Sequence, residues 1–263
     1  MRLTRCLLGV WIIAAASAMA TAAEPLQVRV LSYNIHHAEG TDGKLDLPRI
    51  AKIITSVEPD LVALQEIDFK TDRTGGVDQA AALAKRTGLH VASGDNIDYG
   101  NGRYGNAILS RWPIVEHKNH PLPNDGGEQR GVLMTRINPG NGQSHISFFG
   151  THLDHRQPEG ERLASAAFIN QLVAEDDRPA ILAGDLNAVP TSETLKRFES
   201  EWTNPTAARP LPTIPSKTPQ RQIDYVLCRP VEGWRMIEAK VLDEPAASDH
   251  RPLLVVLEWQ PSN

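Results

Sequence analysis

The chain has 263 residues, a formal net charge of -5 at pH 7, 22% charged residues and only 5% aromatic ones. That length fits one large α/β domain as well as two small ones. Lys and Arg are scattered, with no run of four basic residues; this argues against a surface that grips a long duplex, and the scarce aromatics leave no stacking platform for single strands.

Residues 1–23 read as a secretory signal peptide: Arg2 and Arg5 form a basic start, residues 7–20 an apolar stretch and residues 20–23 a small-residue cleavage region. The apolar run from Cys6 to Ala20 is short of the about 20 residues that a membrane span requires, so the mature chain, residues 24–263, is expected to carry no stable span. It reads as one domain, monomeric, secreted or periplasmic. Loss of Arg2 and Arg5 moves the formal charge from -5 to -7 and loss of Cys6 leaves Cys228 without a disulfide partner. Cys228 reads as a core thiol, with nothing basic beside it to make it reactive.

In chain order, residues 28–33 form the first strand-like run. Asp46 is placed to cap a helix over 47–57, with Pro48 in its first turn and Ile50, Ile53, Ile54 and Val57 on one face. A strand over 61–64 follows, then a helix over 77–87 stopped by Gly88. Strands are predicted over 107–109, 132–137 and 146–150, and a third helix over 159–174, where Leu163, Ala166, Ala167, Asn170 and Val173 fall near helical spacing. A strand over 180–183 precedes a short helix from Thr191 or Ser192 to Phe198. Residues 204–222 contain five prolines and read as an ordered loop. Strands over 225–227, 236–242 and 253–259 close the chain. No repeat or low-complexity tract interrupts this interleaving, which defines an α/β fold.

Several of these runs end in a polar residue: Asn34 after Ser32-Tyr33, Glu66 after Leu64-Gln65, His152 after Gly150-Thr151, and Asp185 and Asn187 in Gly184-Asp185-Leu186-Asn187. Asp224 lies in Ile223-Asp224-Tyr225, and Asp249 and His250 in Ser248-Asp249-His250-Arg251-Pro252. Side chains just past buried strands sit on the rim of a sheet. Carboxylate and amide oxygens suit a hard divalent cation, and histidines beside them move protons near neutral pH. Blander readings stand beside this one: Gly-Asp-x-Asn is good turn chemistry, and Tyr104 at a strand start fits simple packing. His36, His37, Asp154, His155 and Arg156 fit a pocket mouth or solvated loops. His36, His37, His152 and His155 are weighed as a zinc set, although their spacing matches no usual zinc pattern. Arg130 reads equally as an anion contact and as an ion-pair partner.

The segments SYNIHHAEG, DLVALQEID, YGNAILSR, GTHLDH, AGDLNAVP, IDYVL and SDHRPL, in that order over residues 27–257, resemble the endonuclease/exonuclease/phosphatase superfamily, the deoxyribonuclease I-like fold. The resemblance implies a four-layer α/β sandwich, two face-to-face mixed sheets flanked by helices. It also implies roles. Asn34 and Glu66 resemble the metal-binding pair, with Asp249 near enough to join them. Asp185 resembles the carboxylate that orients or deprotonates the attacking water, and Asn187 the amide that holds a phosphate oxygen. His250, held by Asp224, resembles the imidazole beside the scissile phosphate, His152 the histidine on its other flank, and Tyr104 a tyrosine that touches it. Asn106 departs from the pattern. Deoxyribonuclease I has a glutamate there that supports a histidine, and an amide does not raise the basicity of His152 in that way.

The implied activity is metal-assisted, in-line hydrolysis of a phosphate ester with Mg²⁺ or Mn²⁺, one ion or two, the second on Asp249, Asp185 and Asn187. Three readings of substrate follow: a secreted phosphodiesterase or phosphatase acting on a small or lipid-linked ester, a secreted nuclease, or a non-catalytic binding protein on the same fold. Specificity is expected in loops 36–44, 94–104 and 204–222.

Overall fold

A computed structural model describes residues 25–140, 143–230 and 232–260; the expected leader, with Cys6, lies outside the described residues. Among the described residues, eleven strands form two sheets. The first holds β1 (Leu26–Asn34), β2 (Leu61–Phe69), β3 (His90–Tyr99), β4 (Gly102–Ser110), β10 (Trp234–Val241) and β11 (Leu253–Trp259), in the order β10-β11-β1-β2-β4-β3. The second holds β5 (Ile114–Pro121), β6 (Gly131–Ile137), β7 (Ile146–His152), β8 (Ala180–Asp185) and β9 (Asp224–Arg229), in chain order. Each sheet contains one parallel pair, β1 with β2 and β7 with β8, among antiparallel neighbours. Helices α1 (Leu47–Ser56) and α2 (Gln79–Thr87) cover the first sheet, and α3 (Gly160–Ala174) and α4 (Glu193–Glu199) cover the second.

Period-2 alternation builds the layers. Along β1, Val28 and Val30 point into the core between the sheets, where Leu61, Ala63, Phe148, Ile181 and Val226 meet them. Leu31 and Tyr33 point the other way, onto Ile50, Ile54 and Leu83 of the helices. On the second sheet Phe149, Leu182 and Leu227 turn outward onto Ile169, Val173 and Phe198. The expected four-layer sandwich is therefore present. No helix among the described residues is long and apolar enough to cross a membrane.

Helix boundaries follow their caps. Asp46 accepts from the Arg49 N–H at 2.9 Å, and Asp78 from the Ala81 N–H at 3.0 Å, so α2 begins at Gln79, two residues later than the sequence suggests. Glu159 does not open α3. Its carboxylate accepts from Thr194 Oγ1 at 2.8 Å and ties the start of α3 to the start of α4. Two strands escape the sequence pattern, β3 and β5. Both lie on sheet edges and expose mostly polar residues, as edges do to prevent further pairing. As a consequence, residues 94–104 are not a loop: they are the tip of the β3–β4 hairpin, turned at Gly100-Asn101 with both φ angles positive (49° and 59°). Cys228 lies inside β9, buried, and not after the strand.

Candidate active site

The two parallel strand pairs place their polar ends side by side. In the first sheet Asn34 pairs with Gln65, just before Glu66. In the second, His152 pairs with Asp185 and Asp185 with Asp224, a row across β7, β8 and β9. Strand β1 packs over β8 and β2 over β7, so both rims open at one end of the sandwich. Glu66 is aimed by a bulge: the β2–β4 register slips between Leu64 and Ile67, and Glu66 takes a left-handed φ of 60°. Asn187 is also left-handed, at 47°. Backbone strain of this kind persists only where the surroundings enforce it. The glycine of the Gly-Asp-Leu-Asn tetrad has a steric reason, because a Cβ on Gly184 would collide with the Thr151 backbone across the β7–β8 ladder.

The centre of the site is one oxygen. Asp185 Oδ1 accepts from the Asn187 N–H at 2.9 Å, which leaves Oδ2 facing Asn34 Nδ2 at 3.2 Å, His152 Nε2 at 3.5 Å and His250 Nε2 at 3.7 Å. Asn34 Nδ2 also reaches Glu66 Oε1 at 3.0 Å. On the far side of His250, Nδ1 sits 2.9 Å from Asp224 Oδ2, and Thr213 Oγ1 donates to the same oxygen at 2.5 Å. The His250 ring thus lies between two buried carboxylates. Burial works against its cation, but Asp224 and Asp185 outweigh burial and raise its pKa to about 10. Burial first, then the Asp224 charge, pushes the Asp185 carboxyl above the usual range, against the pull of His250.

His152 is held differently. Arg130 Nη1 lies 3.1 Å from His152 Nδ1 and also pairs with Glu128 at 3.1 Å. Burial, then the Arg130 charge, keeps this imidazole well below its ordinary pKa. Asn106 donates instead to the Gly131 carbonyl at 3.2 Å, so Arg130 partners His152 here, alongside its ion pair with Glu128. Tyr104 is half-buried opposite Asp68; burial and then the Glu66 charge raise the pKa of its phenol. Asn187 Nδ2 donates to the Leu153 carbonyl at 3.0 Å.

Asp249 is half-buried. Its carboxylate lies 3.3 Å from Ser248 Oγ and belongs to neither of the two possible metal-binding clusters among the described residues. Those clusters are Asp185, Asp224 and His250, and His36, His37 and Glu66. The four-histidine zinc set therefore does not assemble, since neither cluster contains His152 or His155. Three supporting roles were not read from the sequence: Thr213 on Asp224, Ser248, whose hydroxyl donates to the Asn34 carbonyl at 2.8 Å and accepts from the His250 N–H at 3.2 Å, and Arg130 as the partner of His152. A groove of about 480 Å³ lies near the His152 end; Asp154 and Arg156, expected at a pocket mouth or in solvated loops, line it with Asn124, Asp125 and Glu161, and the catalytic and metal candidates do not.

The residues fit a divalent cation. Two carboxylates, Glu66 and Asp185, converge on Asn34 Nδ2 at 3.0 and 3.2 Å and offer the oxygen donors that a hard cation takes, while Asn34 Oδ1 is held by the His36 N–H at 3.1 Å.

A mixed two-sheet sandwich flanked by helices, with carboxylates, amides and imidazoles gathered on its rim, defines the deoxyribonuclease I-like class. The model of the Endonuclease/Exonuclease/phosphatase family matches residues 31–250, and the chain belongs to that family, which includes phosphatases and nucleases. The chain is 29% identical over 250 residues to the uncharacterized protein YbhP of Escherichia coli, covering 86% of this chain and 94% of that one. An endonuclease/exonuclease/phosphatase from Beutenbergia cavernae is similar in structure, with a TM-score of 0.73, 25% identity and coverage of 89% of this chain and 72% of that one. A family protein from Bacteroides thetaiotaomicron superposes with a TM-score of 0.77 at 20% identity, over 91% of this chain and 100% of that one.

Proposed function

We propose that this protein is an exported, metal-dependent phosphoesterase that hydrolyses a small or lipid-linked phosphate ester by in-line attack of water. The carrying observation is Asp185 Oδ2, a buried carboxylate oxygen facing Asn34, His152 and His250 at once. Glu66 and Asn34, with Asp185 beside them, would hold Mg²⁺ or Mn²⁺, which when bound supplies Lewis-acid polarisation of a phosphoryl oxygen. Asp185 would take the proton of the attacking water as that water's oxygen bonds to phosphorus, and the ester P–O bond breaks on the opposite side, the leaving oxygen taking a proton from solvent. The His250 imidazolium and the Asn187 amide stabilise the negative charge that gathers on the phosphoryl oxygens. His152 presents a neutral N–H to the same oxygens. Tyr104 lines the Glu66 side of the centre.

Charge supports a small ester over a nucleic acid. Arginines across the surface are bound to carboxylates: Arg49 to Asp42, Arg103 to Asp95, Arg136 to Glu116, Arg178 to Asp176 and Arg251 to Asp243. Paired guanidiniums release few counterions and grip phosphates weakly. Export follows from the leader reading of residues 1–23, and N-terminal sequencing of the exported protein tests it. The test of function is a screen of metal-loaded enzyme over phosphomonoesters, phosphodiester lipids and nucleic acids at two salt concentrations. Turnover of a small ester that changes little with salt is expected. Preference for DNA or RNA with a steep salt dependence overturns the reading.

A further inference from the structure

Glu66 belongs to a second cluster, in which His36, His37 and Glu66 each bring a ligand-capable atom within 4.8 Å of the others. Both imidazoles are oriented by one residue, Glu39. His36 Nδ1 lies 3.1 Å from the Glu39 carbonyl oxygen. A carbonyl only accepts, so Nδ1 carries the proton and Nε2 keeps its lone pair. His37 Nε2 lies 3.3 Å from the Glu39 carboxylate, which places the proton on Nε2 and the lone pair on Nδ1. That Nδ1 is buried without any hydrogen-bond partner, in a side chain only 9% exposed. The backbone agrees with a site under constraint: His36, His37 and Ala38 are consecutively left-handed, with φ of 47°, 41° and 64°, a run that non-glycine residues avoid. An imidazole whose outer N–H is fixed by a carbonyl or carboxylate, with its inner nitrogen free, has the orientation of a metal ligand.

We propose that His36 Nε2, His37 Nδ1 and Glu66 form a second cation site, selective for a nitrogen-seeking divalent ion such as Zn²⁺, Co²⁺ or Ni²⁺ and bridged through Glu66 to the all-oxygen site. Imidazole and carboxylate together suit such ions, whereas Mg²⁺ takes oxygen ligands. Two ligands on one ion sit at most about 4 Å apart, given bonds of roughly 2.0–2.1 Å, so the half-exposed Glu66 carboxylate rotates to close the cluster. The proposal deepens the phosphoesterase reading and rests on it for the shared Glu66.

The test uses Co²⁺ as the probe, added to chelator-stripped protein in excess Mg²⁺, with visible absorption reporting nitrogen ligation. Wild type should bind one Co²⁺ with a ligand-field band. His37→Gln and His36→Gln should each weaken binding at least about 10-fold, and Glu39→Gln about 10–100-fold through loss of ring orientation. The His36 ring is only half-buried, so His36→Gln keeps the test decisive if His37→Gln does not fold. A wild type without the band, or a band that survives both histidine substitutions, overturns the site. Hydrolysis with Mg²⁺ alone is read on the same samples. An inactive wild type that binds Co²⁺ through these histidines rejects the phosphoesterase reading and keeps the site; an active wild type blind to Co²⁺ does the reverse.

Discussion

Arg130 Nη1 and His152 Nδ1 are 3.1 Å apart, in a buried pair at the end of β7. Arginine has donors only, so His152 Nδ1 must accept and the proton must reside on Nε2, facing Asp185. The ring is a fixed neutral donor. Where a carboxylate would support the histidine and favour its cation, here a cation supports it and disfavours one. The ¹⁵N shifts of His152 should show an unprotonated Nδ1 and a protonated Nε2. Arg130→Met should release this tautomer into a mixture and lower kcat about 10-fold or more, the scale of losing one aimed donor. A His152 ring protonated on both nitrogens at neutral pH sinks this assignment.

Glu66 and Asp185 should separate in mutagenesis. Glu66→Ala removes a carboxylate that converges on Asn34 and should weaken Mg²⁺ binding, read by calorimetry, with activity lost in parallel. Asp185→Asn retains an oxygen for the Asn187 N–H and so should keep its melting temperature, while kcat falls ~10²-fold or more for want of a base. Near wild-type turnover in Asp185→Asn removes Asp185 from the water-activating role. Chelation should abolish hydrolysis, with Mg²⁺ or Mn²⁺ restoring it better than Ca²⁺ alone, and full activity in excess chelator refutes the metal reading.

How far the sequence carried these residues depends on burial. The strands β1, β2, β7, β8 and β9 are apolar, buried runs, and a polar residue at the end of such a run stands out, so Asn34, Glu66, His152, Asp185 and Asp224 were legible as a rim. Edge strands β3 and β5 were not legible, because most of their residues are polar and exposed and show no hydrophobic period. Thr213 was hidden for another reason. It sits in the proline-rich loop 204–222, and its bond to Asp224 depends on how that loop folds back over β9. Arg130 was visible as a charge, but only the β6–β7 register, which pairs Val132 with Thr151, brings it beside His152.

Cys228 tests the core at that edge. Burial pushes its thiol up to about 12, so at pH 8 it stays protonated and enclosed in β9. Mapping of alkylated peptides should find Cys228 unlabelled in native protein and labelled once denaturant opens the sheet. Rapid native labelling would mean that β9 opens readily beneath Asp224.

His250 and Asp224 should act as one unit. His250 Nδ1 is 2.9 Å from Asp224 Oδ2, and Thr213 fixes that carboxylate from the other side. Despite burial, the two neighbouring carboxylates raise His250 to about 10, so the ring is cationic through the neutral range. The sign follows by linkage: a raised folded pKa stabilises the metal-free fold fully below the unfolded histidine value and loses that contribution as pH rises through about 10. Asp224→Asn removes one of the anions, so the alkaline limb of the rate profile should move to lower pH and kcat should fall. His250→Ala should cost at least as much. Because Asp224 acts through the ring, the double variant should be little worse than His250→Ala. Strictly additive losses, with an alkaline limb unmoved by Asp224→Asn, would show that the two residues work independently and that the cation is held by something other than Asp224.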